Sequence, residues 1–176
     1  MDMISSLANQ YCKLSAFTLE DVTKSYVNWL NDREINQFLE SRFEFHTIES
    51  VLEQVSLWIN NTSYMYYTIR CPVTNEHVGN IKLGPINKYH LTADIGYVLG
   101  NKEFAGRGLA TNALVLLSNY AFQSGVKKIT AGAYESNIAS IRVMEKAGYS
   151  LECIRKSHVV FNGGRVNSLL YSKYAV

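Results

Sequence analysis

Apolar residues recur along this chain with two alternating periods. Val22, Tyr26, Trp29 and Leu30 follow helical spacing. Thr18 is a fitting N-cap ahead of Leu19-Glu20-Asp21, with its acids in the first turn. Asn31-Asp32 interrupts, and a short helix is expected over Glu34 to Leu39. Thr47 is a second N-cap. Ile48, Val51, Leu52, Val55, Trp58 and Ile59 form the stripe behind it. The period then shortens to two. Tyr64–Arg70 and His77–Leu83 read as antiparallel strands around a turn at Pro72–Asn75, with Leu91–Leu99 as the next strand.

A long helix opens at Leu109, with Ala113, Leu116, Leu117 and Tyr120 on one face, and stops at Gly125. Lys128–Tyr134 is a strand. Ser136 or Asn137 caps a helix that runs to Ala147 and ends at Gly148. Leu151–Phe161 and Val166–Tyr174 flank Asn162-Gly163-Gly164, a hairpin signal. With a short strand at Tyr11–Ser15, the order predicts an α/β (α+β) fold. Its sheet is mixed, mostly antiparallel, of about six to seven strands, with helices on both faces. Residues 1–176 read as one domain, with no repeat and no linker. Val166–Tyr174 is apolar and reads as an edge strand, on which a homodimer would pair.

Composition narrows the partners. The net charge of +2 and the absence of a Lys/Arg cluster argue against nucleic acid as the partner. Cys12, Cys71 and Cys153 are odd in number and scattered. The histidines at 46, 77, 90 and 158 are scattered too, so neither a disulfide framework nor a metal site is expected. No apolar run approaches the roughly 20 residues needed to span a bilayer, and Met1–Gln10 does not read as a leader. A soluble cytoplasmic protein is the expectation, with no membrane partner.

The chemistry concentrates after the third long strand. Ala105-Gly106-Arg107-Gly108-Leu109-Ala110-Thr111 sits between a strand and a helix. Two glycines let the backbone turn tightly, and successive amides at a helix N-terminus make a cradle for phosphate. Arg107 would add charge and Thr111 a hydroxyl. Close packing of small residues is the plain alternative. A Rossmann fingerprint fails because Thr111 stands where its third glycine belongs, and no G-K-[ST] of a Walker A loop is present. Asn137 and Ser140 lie at the start of the next helix, on one side of its first turn. Simple capping would also explain Asn137.

These segments together carry a resemblance. Ile95-Gly96-Tyr97-Val98, then Glu103 through Ala113, Asn137-Ile138-Ala139-Ser140 and Glu145-Lys146-Ala147-Gly148-Tyr149 resemble the GNAT superfamily of N-acetyltransferases. The look is closest to the bacterial ribosomal-protein N-terminal acetyltransferases. Asn28-Trp29-Leu30-Asn31-Asp32 and the Asn162-Gly163 hairpin extend it over almost the whole chain. The resemblance implies an enzyme that moves an acetyl group from acetyl-CoA to a primary amine by direct attack in a ternary complex. It implies a cleft where the strands Asp94–Leu99 and Lys128–Tyr134 splay apart.

By the same resemblance the pyrophosphate would rest on Ala105, Gly106, Arg107, Gly108, Leu109, Ala110 and Thr111. The acetyl group would lie against Tyr97, Val98 and Leu99, with an amide near Val98 facing the oxyanion. Asn137 would face pantetheine or amine, and Ser140 would meet the departing sulfur. For the base, Glu103 and, less directly, Asp94 are the nearest candidates in the sequence, acting through water; the plain alternatives are an exposed loop acid ahead of a helix for Glu103 and an edge-strand carboxylate for Asp94. Two departures stand out. Ala105 replaces the first residue of the Q/R-x-x-G-x-G/A pattern, and Met144, which has no proton to give, stands where many relatives have a tyrosine acid. The expected acceptor is a small-molecule or amino-sugar amine. The alternatives are a (ribosomal) protein N-terminus and, in another class, a non-catalytic CoA- or nucleotide-binding module.

Overall fold

A computed structural model describes residues 3–176. The helical stripe after Thr18 is divided by a break at Val22. Leu19–Asp21 is a single 3-10 turn, with the Asp21 carboxylate accepting the Thr18 amide at 2.9 Å. Thr23 then caps α1 (Lys24–Asn31) through the Tyr26 amide. Asp32 caps the single turn α2 (Arg33–Asn36), and Glu40–Phe43 is another 3-10 turn. The helix expected to reach Leu39 therefore stops three residues sooner. Before α3 (Ile48–Ile59), Thr47 and Ser50 cap each other reciprocally.

The sheet has eight strands. They are β1 (Ser6–Ala8), β2 (Lys13–Ala16), β3 (Met65–Arg70), β4 (His77–Leu83), β5 (Thr92–Leu99), β6 (Lys128–Tyr134), β7 (Ser150–Phe161) and β8 (Gly164–Tyr174). Their spatial order is β1-β2-β3-β4-β5-β6-β8-β7. The first five form an antiparallel meander. Between β5 and β6 the chain crosses over through α4 (Leu109–Gln123), so that pair alone is parallel. After β6 comes α5 (Ile138–Lys146) and then the terminal hairpin.

Three expectations need correction. The sheet exceeds the six to seven strands expected, because Ser6–Ala8, three residues long, is too short to show periodicity. Strand β8 is not an edge: it pairs with β6 from Lys128↔Tyr174 to Tyr134↔Ser168, and β7 lies outside it. The hairpin pattern fixes the turn but not which arm meets β6. Asp94 is likewise not on an edge strand, since β5 has β4 on one side and β6 on the other.

Alternation along the strands divides two cores. Tyr67, Ile69, Ile81 and Leu83 face α4 and α5, and pack with Leu114, Leu117 and Met144, all essentially without solvent exposure. Each such aliphatic side chain stabilises the fold by roughly 1.5–3 kcal/mol. The intervening residues face α1 and α3. There Tyr66 stacks on Phe17 at 4.4 Å and packs with Tyr26, Val51 and Val55. On this second face β4 presents Asn80 and Lys82, polar residues in a largely apolar setting. No helix among the described residues is long and apolar enough to cross a membrane.

Candidate active site

Strands β5 and β6 pair only at Thr92↔Lys128, Ala93↔Ile129 and Asp94↔Thr130. Beyond that point each keeps its other neighbour. Ile95 to Leu99 stays on β4, and Ala131 to Tyr134 stays on β8. The sheet forks, and a cavity of about 1160 Å³ occupies the fork. Its lining includes Gly106 and Ala110 from the glycine loop and α4, Phe38 and Arg42 from the segment after α2, and Tyr97, Val98, Leu99, Asn137 and Ser140.

The direction of the β5 amides follows from its register. Gly84 donates to Asp94 and Gly100 donates to Val78, which makes the even-numbered residues the hydrogen-bonded partners of β4. Leu91 accepts from Lys127 and Lys128 on the opposite side. The amides of Tyr97 and Leu99 therefore point into the fork, while that of Val98 is engaged with Asn80. The amides open to the fork are thus those of the neighbours of Val98 rather than that of Val98 itself. The strand needs no distortion to offer them.

At the glycine loop, Gly106 and Gly108 both take positive φ, 75° and 79°. Gly108 is the N-cap of α4 and supplies no side chain to it. The first-turn amides of Leu109, Ala110 and Thr111 have no carbonyl one turn back, so they remain available to an anion. A Cβ on Gly106 would meet nothing within 4 Å, so the cradle is open. These features fit a pyrophosphate. Arg107 is exposed, its guanidinium 4.8 Å from the centre of the Phe104 ring. Leu109 is buried and serves packing. Arg107, Gly108, Leu109 and Thr111 flank the cavity wall that Ala105, Gly106 and Ala110 form.

Deeper in, Asn137 caps α5 by accepting the Ser140 amide at 3.1 Å. That cap fixes the first turn and aims the Ser140 hydroxyl at the Tyr97 hydroxyl, 2.8 Å away. Burial pushes Tyr97 up to about 12, so it stays protonated at neutral pH. Met144 is completely buried beneath this pair. Tyr149 is engaged with the buried Ser118 hydroxyl at 2.7 Å and does not reach the cavity wall.

Glu103 is exposed on a 3-10 turn and does not line the fork; its amide donates to the Asn101 side chain. Asp94 lies below the branch point, hydrogen-bonded by the Thr130 hydroxyl. The carboxylates that do line the cavity are Glu34 and Glu40. Glu34 meets Lys102 at 2.5 Å, and Lys102 also reaches Asp32 at 2.9 Å. Glu40 accepts from the Tyr134 hydroxyl, and that hydroxyl in turn accepts from Arg42. Arg42 also donates to Leu39 and Val160, fastening the second 3-10 turn across the cavity to β7. Sequence gave no signal for Glu40, Arg42 or Phe38, because turn residues carry no period. Among the described residues, no three His, Cys, Asp or Glu groups converge as for a metal.

A forked sheet with a phosphate cradle beside the fork defines a class, and sequence comparison gives it a family. The family model described as "Acetyltransferase (GNAT) domain" matches residues 12–150, and the chain belongs to that family. It is therefore an acetyltransferase. The probable N-acetyltransferase YjcK of Bacillus subtilis (strain 168) is 30% identical over 125 residues, 68% of either chain. Among solved structures, the ribosomal L7/L12 alpha-N-protein acetyltransferase RimL with coenzyme A superposes with a TM-score of 0.84 at 21% identity, covering 94% of this chain and 95% of that one. Spermidine N-acetyltransferase of Vibrio cholerae with CoA and spermine gives 0.83 at 19%, covering 95% and 97%.

Proposed function

We propose that the protein acetylates a primary amine of a small molecule, with acetyl-CoA as donor and both substrates bound together. The observation that carries this reading is the fork itself. One cavity runs from the open glycine cradle, past two free β5 amides and the Ser140–Tyr97 pair, to the wall formed by Phe38 and Arg42.

Acetyl-CoA supplies a thioester carbonyl. The chain's part is to hold its pyrophosphate on the amides from Gly106 to Thr111 and to receive the carbonyl oxygen on those of Tyr97 and Leu99. The amine enters from the α2 side. Ser140, backed by Tyr97, faces the sulfur. The Tyr97 hydroxyl behind Ser140, pushed up to about 12 by burial, lies well above a thiol near 8.5 and so keeps its proton. The pair therefore serves by hydrogen bonding to the leaving sulfur, not by full proton transfer. A small-molecule amine with a pKa near that of lysine, about 10.4, is almost wholly protonated at pH 7, so it sheds one proton to water before attack and a second as the amide forms, while the thiolate leaves.

Calorimetric titration with acetyl-CoA tests the donor site. Thiol release with small amines, amino sugars and N-terminal peptides then tests the acceptor. Micromolar-range binding with turnover on small amines supports the reading. Turnover confined to peptides would favour the protein N-terminus instead, and a folded protein that binds no acetyl-CoA would overturn it.

A further inference from the structure

A second chamber of about 230 Å³ opens off the fork on the α1–α3 face of the sheet. It shares Leu39, Glu40, Gly96, Tyr97 and Val98 with the main cavity. Its lining is unusual in charge. Lys82 points its ammonium over the Trp58 ring at 3.9 Å and towards Tyr64 at 5.3 Å. Among the described residues no carboxylate lies within ion-pair distance of it. Desolvation holds its pKa below the usual lysine range, as expected of a cation without a counter-charge.

Beside it Asn80 is 2% exposed. Its amide oxygen bonds the His77 ring at 2.8 Å, but its amide nitrogen has no hydrogen-bond partner. Burial raises the pKa of Tyr26, and the neighbouring Tyr66 and Asn80 side chains partly offset that rise. Tyr26 and Tyr66 share one hydrogen bond at 2.7 Å, which leaves one hydroxyl proton over. Burial keeps His77 neutral. Asp21 is engaged with Arg70 at 2.6 Å, and Glu40, at the mouth, with Tyr134. The chamber thus offers an ammonium, an amide N–H and a hydroxyl, while the carboxylate at its mouth, Glu40, accepts from Tyr134 and faces Arg42 at 3.9 Å. A buried donor without a partner, such as the Asn80 amide, is costly, and an anion would satisfy it.

Register sets how near that anion would lie to the chemistry. Lys82 stands opposite Gly96, and Asn80 opposite Val98. Directly opposed residues share a face and lie about 5 Å apart. A Cβ on Gly96 would meet nothing within 4 Å, so the floor between Lys82 and the acetyl-transfer position is open. Resting on the acetyltransferase reading above, we propose that the acceptor is a small amino acid-like amine. Its carboxylate, a few bonds from the reacting nitrogen, binds to Lys82 and Asn80. Lys82 is then a specificity-determining residue. It repels polyamines, while the cavity's own carboxylates are already engaged with partners.

The test is kcat/KM with acetyl-CoA for matched acceptors: amino acids, the corresponding amides, an aminoalkyl phosphate, spermidine and a neutral amino sugar. The acids should exceed their amides by about tenfold or more, through KM. In Lys82→Met the acid-to-amide ratio should fall towards one, with acetyl-CoA affinity retained by calorimetry. The comparison of acid with amide in the unaltered protein needs no variant to fold. Equal or better turnover of amides, spermidine or the amino sugar would overturn the carboxylate subsite while leaving the acetyltransferase reading standing. Preference for the aminoalkyl phosphate would overturn the choice of carboxylate. Failure to bind acetyl-CoA would overturn the underlying reading, and the proposal with it.

Discussion

The two flanks of strand β5, proposed to hold the acetyl donor on one side and the amine acceptor on the other, are built in different ways. The donor side is made mostly of backbone: amides of Tyr97 and Leu99, a loop with two positive-φ glycines and the first turn of α4. Its parts come from two short stretches of chain, residues 95–111 and 137–140. The acceptor side is made of side chains from far apart: Tyr26 on α1, Glu40 and Arg42 in a turn, Trp58 on α3, Tyr66 on β3, Asn80 and Lys82 on β4. A backbone site tolerates varied side chains and can serve one cosubstrate throughout a family. A side-chain site changes with each substitution and can discriminate among amines.

That contrast can be broken most strongly at the glycine loop. Gly108→Glu puts a bulky anion where a phosphate should rest, in a backbone conformation that costs about 1 kcal/mol for an L residue. Calorimetry should show acetyl-CoA affinity falling by about 100-fold or more. Unchanged affinity would mean the cradle is not the donor site. A smaller effect is expected where side chains assist the donor side. Ser140→Ala and Tyr97→Phe should each lower kcat by about tenfold. The double variant should be little worse than either single one, because the two hydroxyls act as one unit. Additive losses in steady-state kinetics would contradict that coupling.

On the acceptor side, Arg42→Ala removes three hydrogen bonds, two of which hold the turn against β6 and β7. It should raise the acceptor KM several-fold, roughly the worth of one charge-assisted hydrogen bond, and leave acetyl-CoA affinity alone. Equal changes in both constants would show that the flanks are not separable.

The smallest effect concerns pH. Burial pushes both Tyr67 and Tyr97 up to about 12, whereas tyrosines in an unfolded chain ionise near 10. Their contribution to stability is complete below about pH 10. Above it the unfolded state releases protons that the folded state keeps, so stability must decline as pH rises towards 12. Thermal unfolding across that range should show a falling midpoint, and Tyr97→Phe should lessen the fall.

The legibility of the molecule follows the same division. His77–Leu83 and Lys128–Tyr134 match the strands expected from sequence, because alternation on a half-covered sheet is strongly constrained. The glycine loop, Asn137 and Ser140 were legible because local backbone geometry and capping leave local residue signatures. Glu103 shows the limit. Its neighbours in sequence reach the cavity, but a 3-10 turn directs it to solvent. Asn80 and Lys82 gave no warning at all, since a polar residue on a strand ordinarily means an exposed face.

What the sequence determined by itself is the order of elements, the glycine loop ahead of α4 and the family, all of which depend on residues close together in the chain. Only the tertiary structure decided which arm of the terminal hairpin meets β6, which amides face the fork, and that Lys82 stands unpaired beside Gly96. Those outcomes depend on pairing and packing between distant segments, where strand register and the surrounding groups, rather than residue type, determine what a side chain can do.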